Sequence, residues 1–233
     1  MEAIILAGGF GTRLKKVVPD VPKPMAPIQG RPFLEYVLCY LKRAGVKRVV
    51  LSVCHQCEVI QDYFRDEFDG IAIDYSIEEE TNPLGTGGAI KKSLEFCDVS
   101  NVVVVNGDTF FNVNLSELLT CHQQKDSVLT LALKPMKYFD RYGAVSIDAH
   151  QKIISLEEKQ YRESGLINGG VYAVNKKIFS GHDLIDTFSF EQFMQEKHKH
   201  ADFYGYISDE YFIDIGIPED YKTANETVLN QEE

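Results

Sequence analysis

Short β-branched runs alternate with amphipathic stretches of helical spacing through the first 133 residues, and that alternation demands a parallel sheet with crossover helices. The strands are expected at Glu2–Ala7, Lys47–Cys54, Ile71–Ile77, Asn101–Val105 and Val128–Leu133. Asn101–Val105 is the most apolar and reads as buried on both faces. Between them, Leu34, Val37, Leu38 and Leu41 recur at i, i+3, i+4 and i+7 after Pro32, with Gly45 as the stop. Val59, Ile60, Tyr63 and Phe64 make a second helical stripe, and Thr86–Phe96 and Leu115–Gln123 two more. From Lys134 the pattern changes to strands separated by turns: Ala144–Ile147, Ile153–Glu157, Leu166–Val174, Phe203–Ile207 and Phe212–Ile215. Helices are expected around Phe190–Lys197 and Pro218–Leu229. Without repeat or linker, residues 1–233 read as one α/β domain with a nucleotide-like half (1–133) and a substrate-like half (134–229).

Charge and cysteine content narrow the function classes. Lys and Arg number 24 against 35 Asp and Glu, a net charge of −11, and phosphate-backbone binding needs clustered cations; no nucleic-acid partner is expected. No apolar run approaches the ~18 residues of a spanning helix, and Met1-Glu2-Ala3 lacks a positive signal-like start, so a cytoplasmic protein with no membrane partner is expected. The five cysteines (Cys39, Cys54, Cys57, Cys97, Cys121) form an odd set that fits reduced thiols, and Cys54-His55-Gln56-Cys57 has no second pair with which to build a zinc site. The six histidines show no ligand spacing.

Five segments carry chemistry. The first strand runs into Gly8-Gly9-Phe10-Gly11-Thr12-Arg13, where glycines let backbone amides approach an anion and Arg13 adds a fork for phosphate oxygens. It matches neither the G-x-G-x-x-G fingerprint nor a P-loop. Pro22-Lys23-Pro24 stiffens the chain around one ammonium. Leu84-Gly85-Thr86-Gly87-Gly88-Ala89 opens a helix, and its glycines allow a flat base to lie on the backbone. The acidic stretch ahead of it offers Glu80 as an acceptor for the two donors on the edge of guanine. Asn106-Gly107-Asp108 follows the buried strand, at the strand ends where open α/β sheets bind ligands. Asp214, an acid within an apolar run, is a second carboxylate for a magnesium site.

Taken in order, Leu6-Ala7-Gly8-Gly9-Phe10-Gly11-Thr12-Arg13-Leu14, Pro22-Lys23-Pro24, Leu84-Gly85-Thr86-Gly87-Gly88-Ala89, Asn106-Gly107-Asp108, Glu158-Lys159, Asn168-Gly169-Gly170-Val171-Tyr172 and Asp214-Ile215-Gly216 resemble the sugar-1-phosphate nucleotidylyltransferase family over nearly the whole chain. The stretches Val17–Pro27 and Gly30–Tyr36 are similar in particular to its branch that loads a manno-heptose 1-phosphate with GMP. The resemblance implies a Rossmann-like nucleotidyltransferase fold, a mixed, mainly parallel central sheet flanked by helices. It implies the reaction NTP + sugar 1-phosphate → NDP-sugar + pyrophosphate, with magnesium as cofactor and GTP (or another NTP) and a sugar 1-phosphate as partners.

By family position, Arg13, Lys23 and Asp108 are catalytic and Asp108 and Asp214 hold the metal. The nucleotide contacts Leu6, Ala7, Gly8, Gly9, Gly11, Thr12, Arg13, Lys23, Glu80, Pro83, Gly85, Thr86, Asn106 and Gly107, and the sugar phosphate contacts Tyr142, Gly143, Glu158, Lys159, Asn168 and Gly169. Tyr172 reads as core. Lys15-Lys16-Val17-Val18 departs from the family's usual Pro and Thr. Mannose 1-phosphate with GTP, glucose 1-phosphate with UTP, dTTP or CTP, and a non-catalytic nucleotide-sugar-binding subunit are the alternatives. An exposed apolar helix face is compatible with a homodimer, and no appended regulatory or acyltransferase domain is expected.

Overall fold

The computed structural model describes residues 1–9, 11, 13, 14 and 17–227. Its elements are β1 (Glu2–Leu6), β2 (Pro27–Ile28), β3 (Arg31–Pro32), α1 (Phe33–Arg43), β4 (Arg48–Val53), α2 (Cys57–Phe64), β5 (Glu67–Phe68), β6 (Ile71–Ile77), α3 (Gly85–Leu94), β7 (Asn101–Asn106), β8 (Thr109–Phe111) and α4 (Leu115–Gln124). The chain continues through β9 (Leu129–Phe139), β10 (Gly143–Ile147), β11 (Ile153–Lys159), β12 (Arg162–Asn175), α5 (Phe190–Lys197), β13 (Phe203–Ile207), β14 (Phe212–Asp214) and α6 (Pro218–Thr227). Thr12 of the expected phosphate cradle and the last two residues of the expected helix Pro218–Leu229 lie outside the described residues.

One ten-stranded sheet runs β11-β10-β12-β7-β1-β4-β6-β5, with β9 on β12 and β13 on β9. Its centre, β7-β1-β4-β6, is parallel, as the buried β-branched runs require. Alternate residues of these strands feed two cores. Ala3, Ile5, Val49, Leu51, Val103 and Val105 face the layer holding α1, α2 and α4, whereas Ile4, Val50, Val102 and Val104 face α3 and α5. The result is a helix–sheet–helix sandwich with every β1 apolar side chain from Ala3 to Ile5 fully buried.

The second half is not a separate layer. β9 runs from Leu129 to Phe139 without a break at residue 134, and β12 pairs with β7, β9 and β10. At Asn168–Tyr172 the register of β12 against β9 shifts. On its other side β12 pairs with β10 before that point and with β7 after it. This break in β12 sits beside the parallel strand ends and opens the larger of the two cavities described next.

The three-residue strands β8 and β14 form a two-stranded antiparallel sheet; β14 lies within the strand expected at Phe212–Ile215, whereas β8 was not expected. It pairs Thr109 with Asp214 and Phe111 with Phe212. The three residues of β8 are too few for a period to be read.

Candidate active site

Two cavities open at the carboxyl ends of the parallel strands, where the crossover topology leaves a crevice. The first, about 370 Å³, is lined by Leu6, Gly8, Gly9, Lys23, Pro24, Ser52, Cys54, Glu78, Pro83, Gly85, Thr86, Ala89, Asn106, Asp108 and Glu191. The second, about 460 Å³, is lined by residues that include Arg13, Asn106, Tyr142, Gly143, Glu158, Lys159, Asn168, Gly169, Tyr172, Glu191, Gln192, Gln195 and Asp214. Asn106 and Glu191 belong to both walls and mark where the cavities meet.

Near that junction stand the two aspartates and the lysine expected to act together. Lys23 Nζ donates to Asp108 Oδ2 at 2.5 Å and lies 3.5 Å from Asp214 Oδ1. The small β8–β14 sheet causes this meeting: Asp108 precedes β8, Asp214 ends β14, and Ile215 N donates to the Asp108 carbonyl at 3.0 Å. Gly216 N donates to Asp214 Oδ1 at 2.7 Å and fixes that carboxylate. Burial first, and then the charge of Asp108, push the Asp214 carboxyl up, while Lys23 and the Gly216 amide pull against them. Two carboxylates facing one ammonium are short of positive charge, a donor set suited to a hard divalent cation.

Gly11 sets the lysine. It has φ +57°, and a Cβ built on it would lie 2.8 Å from Lys23 Cβ, so only glycine lets the loop after β1 pack on the lysine stem.

The expected nucleotide residues Leu6, Gly8, Gly9, Lys23, Pro83, Gly85, Thr86 and Asn106 line the first cavity together. Three others stand behind its wall. Ala7 is buried in the core, Gly107 N donates to the Leu6 carbonyl at 2.9 Å, and Gly11 backs Lys23. Arg13 lines the second cavity instead of the first.

Glu80 stands apart from these residues. It is exposed outside both walls, with Oε1 accepting from Gln56 N at 3.0 Å and lying 3.0 Å from His55 Nδ1. Glu78 lines the first cavity in its place. It is 8% exposed, its Oε2 accepts from Leu84 N at 2.8 Å, and Ser52 Oγ donates to its Oε1 at 3.4 Å. The backbone causes the exchange: Glu78 N is still held by the Val53 carbonyl at 2.8 Å, so the chain keeps its place beside β4 for one residue beyond β6 and only then turns outward.

All six expected sugar-phosphate residues, Tyr142, Gly143, Glu158, Lys159, Asn168 and Gly169, line the second cavity. Gln195 Nε2 donates to Glu158 Oε1 at 3.2 Å, and Asn168 Nδ2 donates to the Tyr172 hydroxyl at 2.9 Å. Tyr172 is thus both core and cavity floor, and burial pushes its phenol up. Burial and then the charge of Asp214 likewise raise the Tyr142 phenol.

The sequence reading missed Glu191, Gln192 and Gln195 on α5 and Arg141, which also lines the second cavity and pairs with Asp220 at 2.7 Å. Ser189, whose hydroxyl accepts from Gln192 N at 3.2 Å, is the N-cap signal that marks the start of α5, but nothing local indicates that its polar face meets a ligand.

Comparison with known proteins agrees with this geometry. The nucleotidyl transferase family model matches residues 2–231. The chain is 53% identical over 221 residues to the D-glycero-alpha-D-manno-heptose 1-phosphate guanylyltransferase of Campylobacter jejuni, covering 95% of this chain and 97% of that one. It is 52% identical over 225 residues to the protein of the same name from Aneurinibacillus thermoaerophilus, covering 96% of each. Among solved structures, HddC from Yersinia pseudotuberculosis superposes with a TM-score of 0.86 at 38% identity, over 97% of this chain and 98% of that one. The same protein complexed with GMP-PN gives 0.85. On motifs, fold and relatives alike, the chain belongs to the nucleotidyl transferase family.

Proposed function

We propose that this protein transfers GMP from GTP to D-glycero-α-D-manno-heptose 1-phosphate, forming GDP-heptose and pyrophosphate. The observation that carries the reading is the meeting of two cavities beside Lys23, Asp108 and Asp214: one walled by glycines and strand ends, the other by the polar side chains of β10, β11, β12 and α5. The relatives named above supply the choice of base and sugar.

The acceptor phosphate oxygen attacks the α-phosphorus of GTP in line, and pyrophosphate leaves on the opposite side, with no covalent link to the protein. The chain contributes orientation and charge. Lys23, held by two carboxylates and by the packing of Gly11, places its ammonium against the phosphates around the reacting phosphorus. Arg13 and Lys159 neutralise phosphate charge from the wall of the second cavity, and Glu158, steadied by Gln195, accepts hydrogen bonds from sugar hydroxyls. Asp108 and Asp214 would hold magnesium, which would supply Lewis-acid neutralisation of phosphate charge.

In the first cavity Glu78 presents a buried carboxylate whose described neighbours include no cation. Guanine carries two adjacent donors on its pairing edge, which a carboxylate accepts; uracil, thymine, cytosine and adenine do not offer that pair. With GTP and a phosphorylated sugar as substrates, the reaction belongs in the cytoplasm.

The reading is tested by incubating purified protein with magnesium, each of GTP, ATP, UTP, dTTP and CTP, and a panel of heptose and hexose 1-phosphates, and following pyrophosphate release. Preferential turnover of GTP with the manno-heptose 1-phosphate is expected. Preferential turnover of another pair overturns the choice of substrates, and absence of turnover with every pair overturns the enzyme.

A further inference from the structure

Glu191 stands on the first turn of α5 and lines both cavities. Its Oε2 accepts two hydroxyl hydrogen bonds, from Thr86 Oγ1 at 2.9 Å and from Ser189 Oγ at 2.8 Å. Thr86 Oγ1 in turn accepts from Phe190 N at 2.9 Å, so donor and acceptor roles around Oε2 are fully assigned. The carboxylate is therefore held in one orientation by α3 on one side and by the cap of α5 on the other.

Oε1 has no donor among the described residues, and no Lys or Arg among them lies within ion-pair distance of this carboxylate. A carboxylate oxygen held at the junction of a nucleotide and a sugar cavity repels phosphate and accepts from hydroxyl. We propose that Glu191 is a specificity-determining residue that accepts a hydrogen bond from a ligand hydroxyl at this junction. Two hydroxyl sources meet there: the ribose of the nucleotide, and the sugar carbon next to the phosphate-bearing one. The inference rests on the transfer reaction proposed above.

The test compares wild-type protein with Glu191→Ala and Glu191→Gln. The nucleotides are GTP, 2′-deoxy-GTP and 3′-deoxy-GTP, and the acceptors are the favoured sugar 1-phosphate and its 2-deoxy analogue. In the wild type, removing the hydroxyl that Glu191 accepts is expected to lower kcat/KM roughly tenfold, the size of one hydrogen bond to a charged group. In Glu191→Ala the same analogue loses nothing further. A penalty that vanishes with the nucleotide analogues identifies the ribose as the source, and one that vanishes with the acceptor analogue identifies the sugar. If Glu191→Ala lowers every substrate by one common factor, or leaves the analogue penalties intact, the proposal fails.

Calorimetric binding of GTP and its deoxy analogues without acceptor checks the nucleotide arm independently of turnover. Glu191→Gln, which keeps an oxygen for Thr86 and Ser189, serves where the alanine variant does not fold. For that variant the decisive result is a reduced analogue penalty. Failure of the transfer reaction itself is separate, because the wild type would then release no pyrophosphate with any pair.

Discussion

Glu78 and Glu80 are two positions apart in one acidic stretch, yet one is buried in a cavity wall and the other faces solvent beside His55. Glu78→Gln keeps an oxygen for Leu84 N while replacing a charged acceptor of guanine with an amide. The variant is expected to lose about 10- to 100-fold in kcat/KM with GTP, the range for a hydrogen bond to a charged group. Inosine triphosphate lacks the 2-amino donor, so its disadvantage against GTP should shrink in the variant. Steady-state kinetics with both nucleotides checks this, and an equal loss for both would mean that Glu78 only supports the Leu84 loop. Lys23, Asp108 and Asp214 were legible in the sequence because rigid prolines and strand-end acids are local signals. That Glu78 and not Glu80 lines the cavity was not, because it depends on where the strand's backbone pairing stops, which composition does not encode.

Among elements, the decisive contact is between the start of α3 and the segment leading into α5. Gly87 N donates to the Phe188 carbonyl at 3.0 Å, and Phe188 N donates to the Leu84 carbonyl at 3.0 Å. A Cβ on Gly87 would lie 2.2 Å from the Phe188 ring, so this glycine allows the nucleotide loop to dock on the sugar-side helix. Gly87→Ala should therefore destabilise the fold by about 1–3 kcal/mol, the cost of overpacking a close contact, and raise the KM for GTP. Urea denaturation and nucleotide titration measure the two effects. Helices and strands with a clear period, such as α5 at Phe190–Lys197 and β6 at Ile71–Ile77, were readable in advance. The place of α5 in the cavity walls was hidden because Phe190, Phe193 and Met194 announce a core-packing helix and leave its acid looking solvated. The partner of the expected strand at β14 was hidden by the shortness of β8, although their pairing brings the two aspartates together.

At the scale of the whole molecule, His122 joins α4 to the sheet. It is 1% exposed, its Nδ1 lies 3.0 Å from Thr130 Oγ1 on β9, and its Nε2 has no partner among the described residues. Burial lowers its pKa from 6.5 to about 4, so the folded protein keeps it neutral where the unfolded chain takes up a proton. The unfolded state binds more protons between those values, so stability is complete above pH 6.5 and declines as pH falls toward 4. Urea denaturation at pH 7.5 and 5.5 should show a larger loss for the wild type than for His122→Gln. A second consequence comes from β12, which supplies β7 with its outer neighbour across 64 intervening residues, between Asn106 and Val171. On the ribosome, β7 emerges long before Val171–Asn175 can cover its edge. At about 5–20 residues per second, the nascent chain carries that unpaired apolar edge for roughly 3–14 seconds. Chaperones that shield exposed strands would find their occasion in that interval, so folding yield should depend on the pace of translation between the two strands.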